Sequence, residues 1–234
     1  MDKRMEDIYE NIKKHRLTSD SVFMFHCTMC GDCCRNRDDI LLNSKDLFNL
    51  AKGLKIAPKD VVEKYCETYL GASSRMPIVR LKPVGFDKHC AFLERNGCAV
   101  QAFKPTVCAM FPIGRFRECG KDKPDEINYM FNDPHCGDKR EIHTVRGWLS
   151  MYGIPENDEF YLKWTNTVET LTASLSKLEK YLKTDTMEKL WTFVCFFLYL
   201  NYDTEKEFMP QFLKNSEIVI GNIKNLEDKK GGVI

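Results

Sequence analysis

Four cysteines lie within eight residues, Cys27, Cys30, Cys33 and Cys34, in the pattern C-x2-C-x2-C-C. Two thiolates separated by two residues can turn onto one metal through a tight loop, and Gly31 relaxes the backbone at that point. Successive x2 spacings also match the first part of a ferredoxin-type cluster run. Cys34 departs from that run because it directly follows Cys33. In an extended backbone, consecutive side chains point to opposite sides. The pair is therefore expected to serve two neighbouring sites or one polynuclear site; a turn here would remove that argument. Four thiolates on one divalent ion make a dianionic centre, so nearby donors are expected, with Arg35, Arg37 and Lys88 as candidates. Inert core thiols have no reason to adopt this spacing. A redox disulfide is the weaker alternative, and metal ligation is the preferred reading.

The rest of the chain must position these thiols. It has 234 residues and 11 cysteines, an odd number that precludes full internal pairing. Lys plus Arg number 35 and Asp plus Glu 34, for a net charge of +1. That balance gives no electrostatic case for a nucleic-acid partner. Residues 1–17 are charged throughout, with no apolar signal segment. The most apolar run, 190–200, falls short of the about 20 residues a membrane span needs. The expectation is a cytoplasmic protein with reduced thiols and no membrane partner, its oligomeric state open.

Ten of the eleven cysteines lie between 27 and 136. The expected organisation is a polar N-terminal helix or extension over 1–19, a cysteine-rich metal-binding core over 20–143, and a helical C-terminal region over 144–234 packing on that core. The fold class is α+β, predominantly α, with an irregular metal-stabilised core. Ser44 is the expected N-cap of a short helix through Leu47, Phe48, Leu50 and Ala51, ended by Gly53. Pro58 opens a second helix whose apolar face runs through Val61, Val62, Tyr65, Cys66, Tyr69 and Leu70. Residues 76–131 are broken by prolines, with extended candidates at Ile78–Leu81, Ala91–Leu93 and Asn128–Phe131. Such a segment needs another source of order, which metal ligation can supply. Thr144 is the expected cap of a helix through Val145, Trp148 and Leu149. Longer helices run from Trp164 to Tyr181 and through Leu190–Leu198. A last one, holding Phe208, Phe212 and Ile218, is interrupted by Pro210. The stretch 228–232 reads as a frayed tail.

Further blocks extend the cysteine pattern: Cys90-Ala91-Phe92-Leu93, Gly97-Cys98-Ala99-Val100, Lys104-Pro105 through Phe111-Pro112 around Cys108, and Cys136-Gly137 followed by Thr144-Val145 and Trp148-Leu149. In order and spacing over residues 24–150, these five blocks resemble the YkgJ-type cysteine-cluster proteins, zinc- or iron-chelating domains shared by the flagellin lysine N-methylases. Lys104 and Ala109 stand where that family usually has arginines, which weakens any role those arginines play in substrate handling or charge balance. Carried over residue by residue, the resemblance implies eight metal ligands: Cys27, Cys30, Cys33, Cys34, Cys90, Cys98, Cys108 and Cys136. Two four-thiolate sites, with the adjacent pair split between them, is the simple division. An iron–sulfur cluster of the 4Fe-4S type is slightly favoured by the all-cysteine set; zinc satisfies the same ligands.

His26, His89 and His135 each precede a matched cysteine and read as polar loop neighbours in preference to ligands. Cys119 is either a ninth ligand or a free thiol. Cys66 and Cys195 sit on apolar helical stripes and read as core. Glu156, Asp158 and Glu159 read as a solvated charged turn, and Trp191–Tyr202 as a buried helix. The chain has no G-x-G-x-x-G or phosphate-binding loop, no C-x3-C-x2-C radical-cluster motif, and no Ser-His-Asp or HExxH pattern. Three functions stay open: a metal protein with a redox or regulatory role; a protein-lysine N-methylase acting on a protein substrate with S-adenosylmethionine; and a structural zinc module that binds a partner. No catalytic residue is identified.

Overall fold

Capping and strand-forming residues divide the chain into short elements. A computed structural model describes residues 10, 12, 14–37, 39–118 and 125–231. Most of the expected N-terminal helix, and Cys119, lie outside the described residues. In chain order the first elements are β1 (Arg16–Leu17), β2 (Val22–His26), a 3-10 turn (Asp32–Cys34), β3 (Leu41–Leu42), α1 (Ser44–Leu54), α2 (Pro58–Tyr65), β4 (Cys66–Leu70) and β5 (Pro77–Leu81). Then come β6 (Pro83–Val84), β7 (His89–Cys90), β8 (Leu93–Glu94), β9 (Gly97–Cys98), a second 3-10 turn (Gln101–Phe103), α3 (Thr106–Met110), β10 (Ile113–Glu118), β11 (Glu126–Phe131) and β12 (Asp138–Thr144). Helices α4 (Val145–Met151), α5 (Glu159–Leu178), α6 (Thr184–Cys195), a π turn (Phe196–Leu200) and α7 (Phe208–Gly231) complete the fold. This is an α+β protein, with its helices concentrated after residue 144.

All the strand pairs are antiparallel and small: β1-β11-β10, β12-β2, β3-β5-β4, β6-β7 and β8-β9. Two buried clusters tie them together. The larger joins Leu47, Leu50, Val61 and Val79 to Leu171, Leu175, Leu198, Val219 and Ile223, so the C-terminal helices share one core with α1, α2 and β5. The second places Phe23, Phe25, Met110, Ile113, Val145 and Trp148 beneath the β2–β12 pair. Each fully buried side chain of this size contributes about 1.5–3 kcal/mol.

Several local expectations are corrected. Asn43, not Ser44, caps α1, in a capping box with Asp46. Gly53 lies inside that helix. A Cβ there would meet the Phe103 ring at 2.5 Å, so close packing fixes this glycine rather than helix termination. Helix α2 stops at Tyr65. Residues 66–70 form a strand because Pro77–Leu81 offers a five-residue antiparallel partner, a tertiary contact that outweighs helical spacing. Pro210 does not break α7: it stands in the first turn, where its missing N–H is not needed. Asp158 is no solvated residue. Its side chain is 7% exposed, pairs with Arg115 at 2.8 Å and caps α5 by accepting from Tyr161 N at 3.2 Å.

Candidate metal centre

Pairing of β2 with β12 sets Asp138 opposite His26. Cys27, just after β2, and Cys136, just before β12, are thereby brought to one end of the ladder. Gly137 makes the approach possible: at φ 71° it lies where a Cβ would meet the His26 carbonyl oxygen at 2.5 Å. Beyond Cys27 the chain turns through Met29 and Gly31, both with positive φ. At Gly31 a side chain would also collide with Arg35 Nη1 and Leu93. This turn leads into the 3-10 turn that carries Cys33 and Cys34.

That turn overturns the extended-backbone premise. The Cys33 and Cys34 sulfurs are on the same side, 3.8 Å apart. A tetrahedral ion bonded to sulfur at about 2.3 Å separates two of its thiolates by about 3.8 Å, so the adjacent pair has the spacing of two ligands on one ion. The hydrogen bond from Cys34 brings the Cys33 thiol down to about 6, against burial and with help from Arg37. The same contact, with burial, drives Cys34 up.

Cys90 ends β7 and accepts a hydrogen bond from Phe92 N at 3.5 Å. Cys98 ends β9. Cys108 sits on α3, a helix held by a residue that sequence reasoning missed. Asp46, buried at the start of α1, accepts from Thr106 N at 2.8 Å and from Thr106 Oγ1 at 2.6 Å. The far end of α3 is fixed by Trp148 Nε1, which donates to the Met110 carbonyl at 3.0 Å. Burial, followed by the neighbouring Cys90, pushes the Cys108 thiol up. Burial likewise pushes Cys136 up to about 12, with Cys33, Cys30 and Cys27 acting in the same direction.

All eight cysteines singled out in the sequence line one cavity of about 420 Å³. A smaller void of about 20 Å³ is bounded by Cys33, Cys34, Cys90 and Cys108, room for about one water-sized occupant. Cys27 and Cys30 are exposed at the mouth. Among the described residues, no three His, Cys, Asp or Glu side chains already stand in metal-holding geometry. The donor set nevertheless fits a thiophilic metal in its chemistry, since all eight candidate donors on the cavity wall are sulfur. The ten described cysteines are all free thiols.

The charge environment differs from expectation. Arg37 lines the cavity but is tied to Asp39 at 2.5 and 3.1 Å. Arg35 donates to the Cys30 carbonyl at 3.3 Å, and Lys88 does not line the cavity. The cation lining it without a carboxylate partner, among the described residues, is Lys104, 4.5 Å above the Tyr152 ring. Its signal in the sequence was its place in the Cys108 block. His26 and His89 do not line the cavity; their Nδ1 atoms face Glu141 at 2.8 Å and Asp87 at 2.6 Å. His135 is exposed. Cys66 is buried in the main core, where desolvation pushes it up to about 12, and Cys195 packs against that core.

Residues 26–137 match the family model of the CxxCxxCC domain, described as a putative zinc- or iron-chelating domain. No curated protein and no solved structure matches the chain. Among the described residues no helix is long and apolar enough to cross a membrane.

Proposed function

We propose that the CxxCxxCC domain carried at residues 26–137 holds zinc or iron through the thiolates of Cys27, Cys30, Cys33, Cys34, Cys90, Cys98, Cys108 and Cys136. The observation that carries this reading is the arrival of eight thiols, from five separate stretches of chain, at one cavity. Bound there, a metal supplies Lewis acidity or, if iron, one-electron chemistry. The chain's own residues bind it through sulfur, direct the Phe92 N–H at the Cys90 sulfur, and place Lys104 against the negative charge. Phe25 and Trp148, both buried, close the apolar side to water.

The Cys33–Cys34 spacing supports single ions, because a 4Fe-4S cluster takes one thiolate per iron. The cluster reading rests on the all-cysteine donor set, and one experiment separates the two. Anaerobically isolated protein is analysed for zinc, iron and acid-labile sulfide. The expected result is zinc or iron at about two ions per chain, since four thiolates complete one tetrahedral site, with no sulfide. Stoichiometric iron and sulfide would replace single ions with a cluster. A metal-free protein that refuses both metals on reconstitution would end the holding reading.

A further inference from the structure

A second cavity of about 420 Å³ opens at the seam where β3, α1, α3 and β10 meet the helical layer at α5. It shares Val107 and Ile113 with the thiol cavity, but among the described residues no cysteine stands on its wall. Small-molecule sites favour such concave ground between layers, with mostly apolar walls and a few placed polar groups. Met76, Ile78 and Val168 supply apolar wall here, and Trp164 and Tyr199 supply aromatic rings. The single cation on the wall is Arg115. Its side chain is 8% exposed and gives Nη1 to Asp158 at 2.8 Å. A guanidinium carries five N–H donors. Among the described residues nothing accepts from Nε or Nη2 of Arg115, yet neither atom is sealed from accessible space. For so buried a side chain, that space is the cavity it lines.

We infer that this seam cavity binds a small uncharged molecule with a flat apolar body and a carbonyl group, the carbonyl accepting from the unspent donors of Arg115. A donor left unpaired in an apolar wall costs free energy, which an incoming acceptor recovers. The lack of charge follows from the neighbours. Asp158 already cancels the guanidinium. Asp46, buried on the same wall, adds a carboxylate whose oxygens are taken by Thr106 and by the Asn43 N–H. An anion entering here would lose its hydration without meeting a free cation. The flat body follows from the rings of Trp164 and Tyr199, which pack best against the face or edge of another ring. Tyr161 holds the reading group in place: its ring lies 3.9 Å from the Arg115 guanidinium, and its hydroxyl donates to the Arg115 carbonyl at 3.4 Å.

The test is NMR of the full-length protein titrated with acetanilide, an uncharged ring bearing an amide carbonyl, and in parallel with phenylacetate and toluene. Acetanilide is expected to shift the backbone amides of Ile78 and Arg115 and the Trp164 indole, with a Kd on the order of a millimolar. Phenylacetate should bind about tenfold more weakly or worse, because its carboxylate must be desolvated. Val168→Trp should fill the cavity and abolish the shifts. The double variant Arg115→Met, Asp158→Leu removes the donors without stranding a charge; it should weaken acetanilide about tenfold and leave toluene binding unchanged. Circular dichroism checks that both variants are folded, and the wild-type shift map stands without them. If those three signals stay still at concentrations about tenfold above that Kd, or if the shifts survive Val168→Trp, the cavity is overturned as the site. Unchanged acetanilide affinity in the double variant, or phenylacetate binding as tightly as acetanilide, overturns Arg115 as the reading group and the ligand class with it.

Discussion

Removing the Asp158 carboxylate should loosen the joint between the cysteine domain and the helical layer. Arg115 on β10 and Asp158 before α5 meet at 2.8 Å with side chains only 8% and 7% exposed. The guanidinium lies 3.9 Å from the Tyr161 ring, and the same carboxylate caps α5. Breaking a buried pair by deleting one partner costs about 3–5 kcal/mol, because it strands the other charge. Losing the cap adds about 1 kcal/mol. Asp158→Ala should therefore lose about 4–6 kcal/mol, a large part of the roughly 5–15 kcal/mol of a typical domain. In a chain of this size that is a fall in Tm on the order of 10–20 °C. Asp158→Asn keeps an oxygen for the cap and should lose less. The double variant Arg115→Met, Asp158→Leu should recover much of the loss, since an apolar pair of similar volume can replace a buried ion pair. Urea denaturation compares the four proteins. If Asp158→Ala stays within about 0.5 kcal/mol of wild type, like an ordinary surface substitution, the joint carries no such weight and the reasoning is refuted.

Other perturbations have equally definite outcomes. Cys30→Ser and Cys108→Ser should lower metal content and solubility while Cys195→Ser does neither; full metal retention in Cys30→Ser removes that residue from the ligand set. Lys104→Gln should weaken zinc binding by about 10–100-fold in chelator competition, as loss of an outer-shell partner does, with rescue in Lys104→Arg; equal affinities in all three would show that its charge is not felt. Saturating S-adenosylmethionine is expected to leave Tm unchanged; a clear rise would establish a methyl-donor site, because a ligand of the native state must stabilise it. Glu179 is bonded to Arg75, and that partner holds its carboxyl below the ordinary range. The pair's contribution is then present above the unfolded-state pKa and lost as pH falls through the folded one. Glu179→Gln should flatten this acid limb by no more than about 1 kcal/mol, measured by urea melts across pH.

The Cys27–Cys34 run was legible because its spacing needs only local sequence to state it; Cys90, Cys98, Cys108 and Cys136 came from the family resemblance, and all eight line the cavity. What was not legible required partners distant in the chain. Cys66–Leu70 has helical spacing, and only the presence of Pro77–Leu81 beside it makes it a strand. Asp46 looks like an ordinary first-turn acid until Thr106, sixty positions on, is seen to donate to it twice. Asp158 in its acidic stretch gave no hint of Arg115. The Cys33–Cys34 geometry was missed because an extended chain was assumed where Gly31 initiates a 3-10 turn. In Cys119 the sequence raises a question that falls outside the described residues.

The β2–β12 ladder also governs when the domain can be finished. About 110 residues separate Cys27 from Cys136, and closing a loop of that length costs roughly 4 kcal/mol of chain entropy beyond a fixed contribution. A nascent chain emerging from the ribosome therefore displays the Cys27–Cys34 thiols well before the strand that clasps them has been synthesised. Metal supplied during that interval would meet only a fragment of its final cage. If the eight thiols hold metal as proposed, the cage is complete only once Cys136 has been synthesised, so loading falls late in the life of the polypeptide.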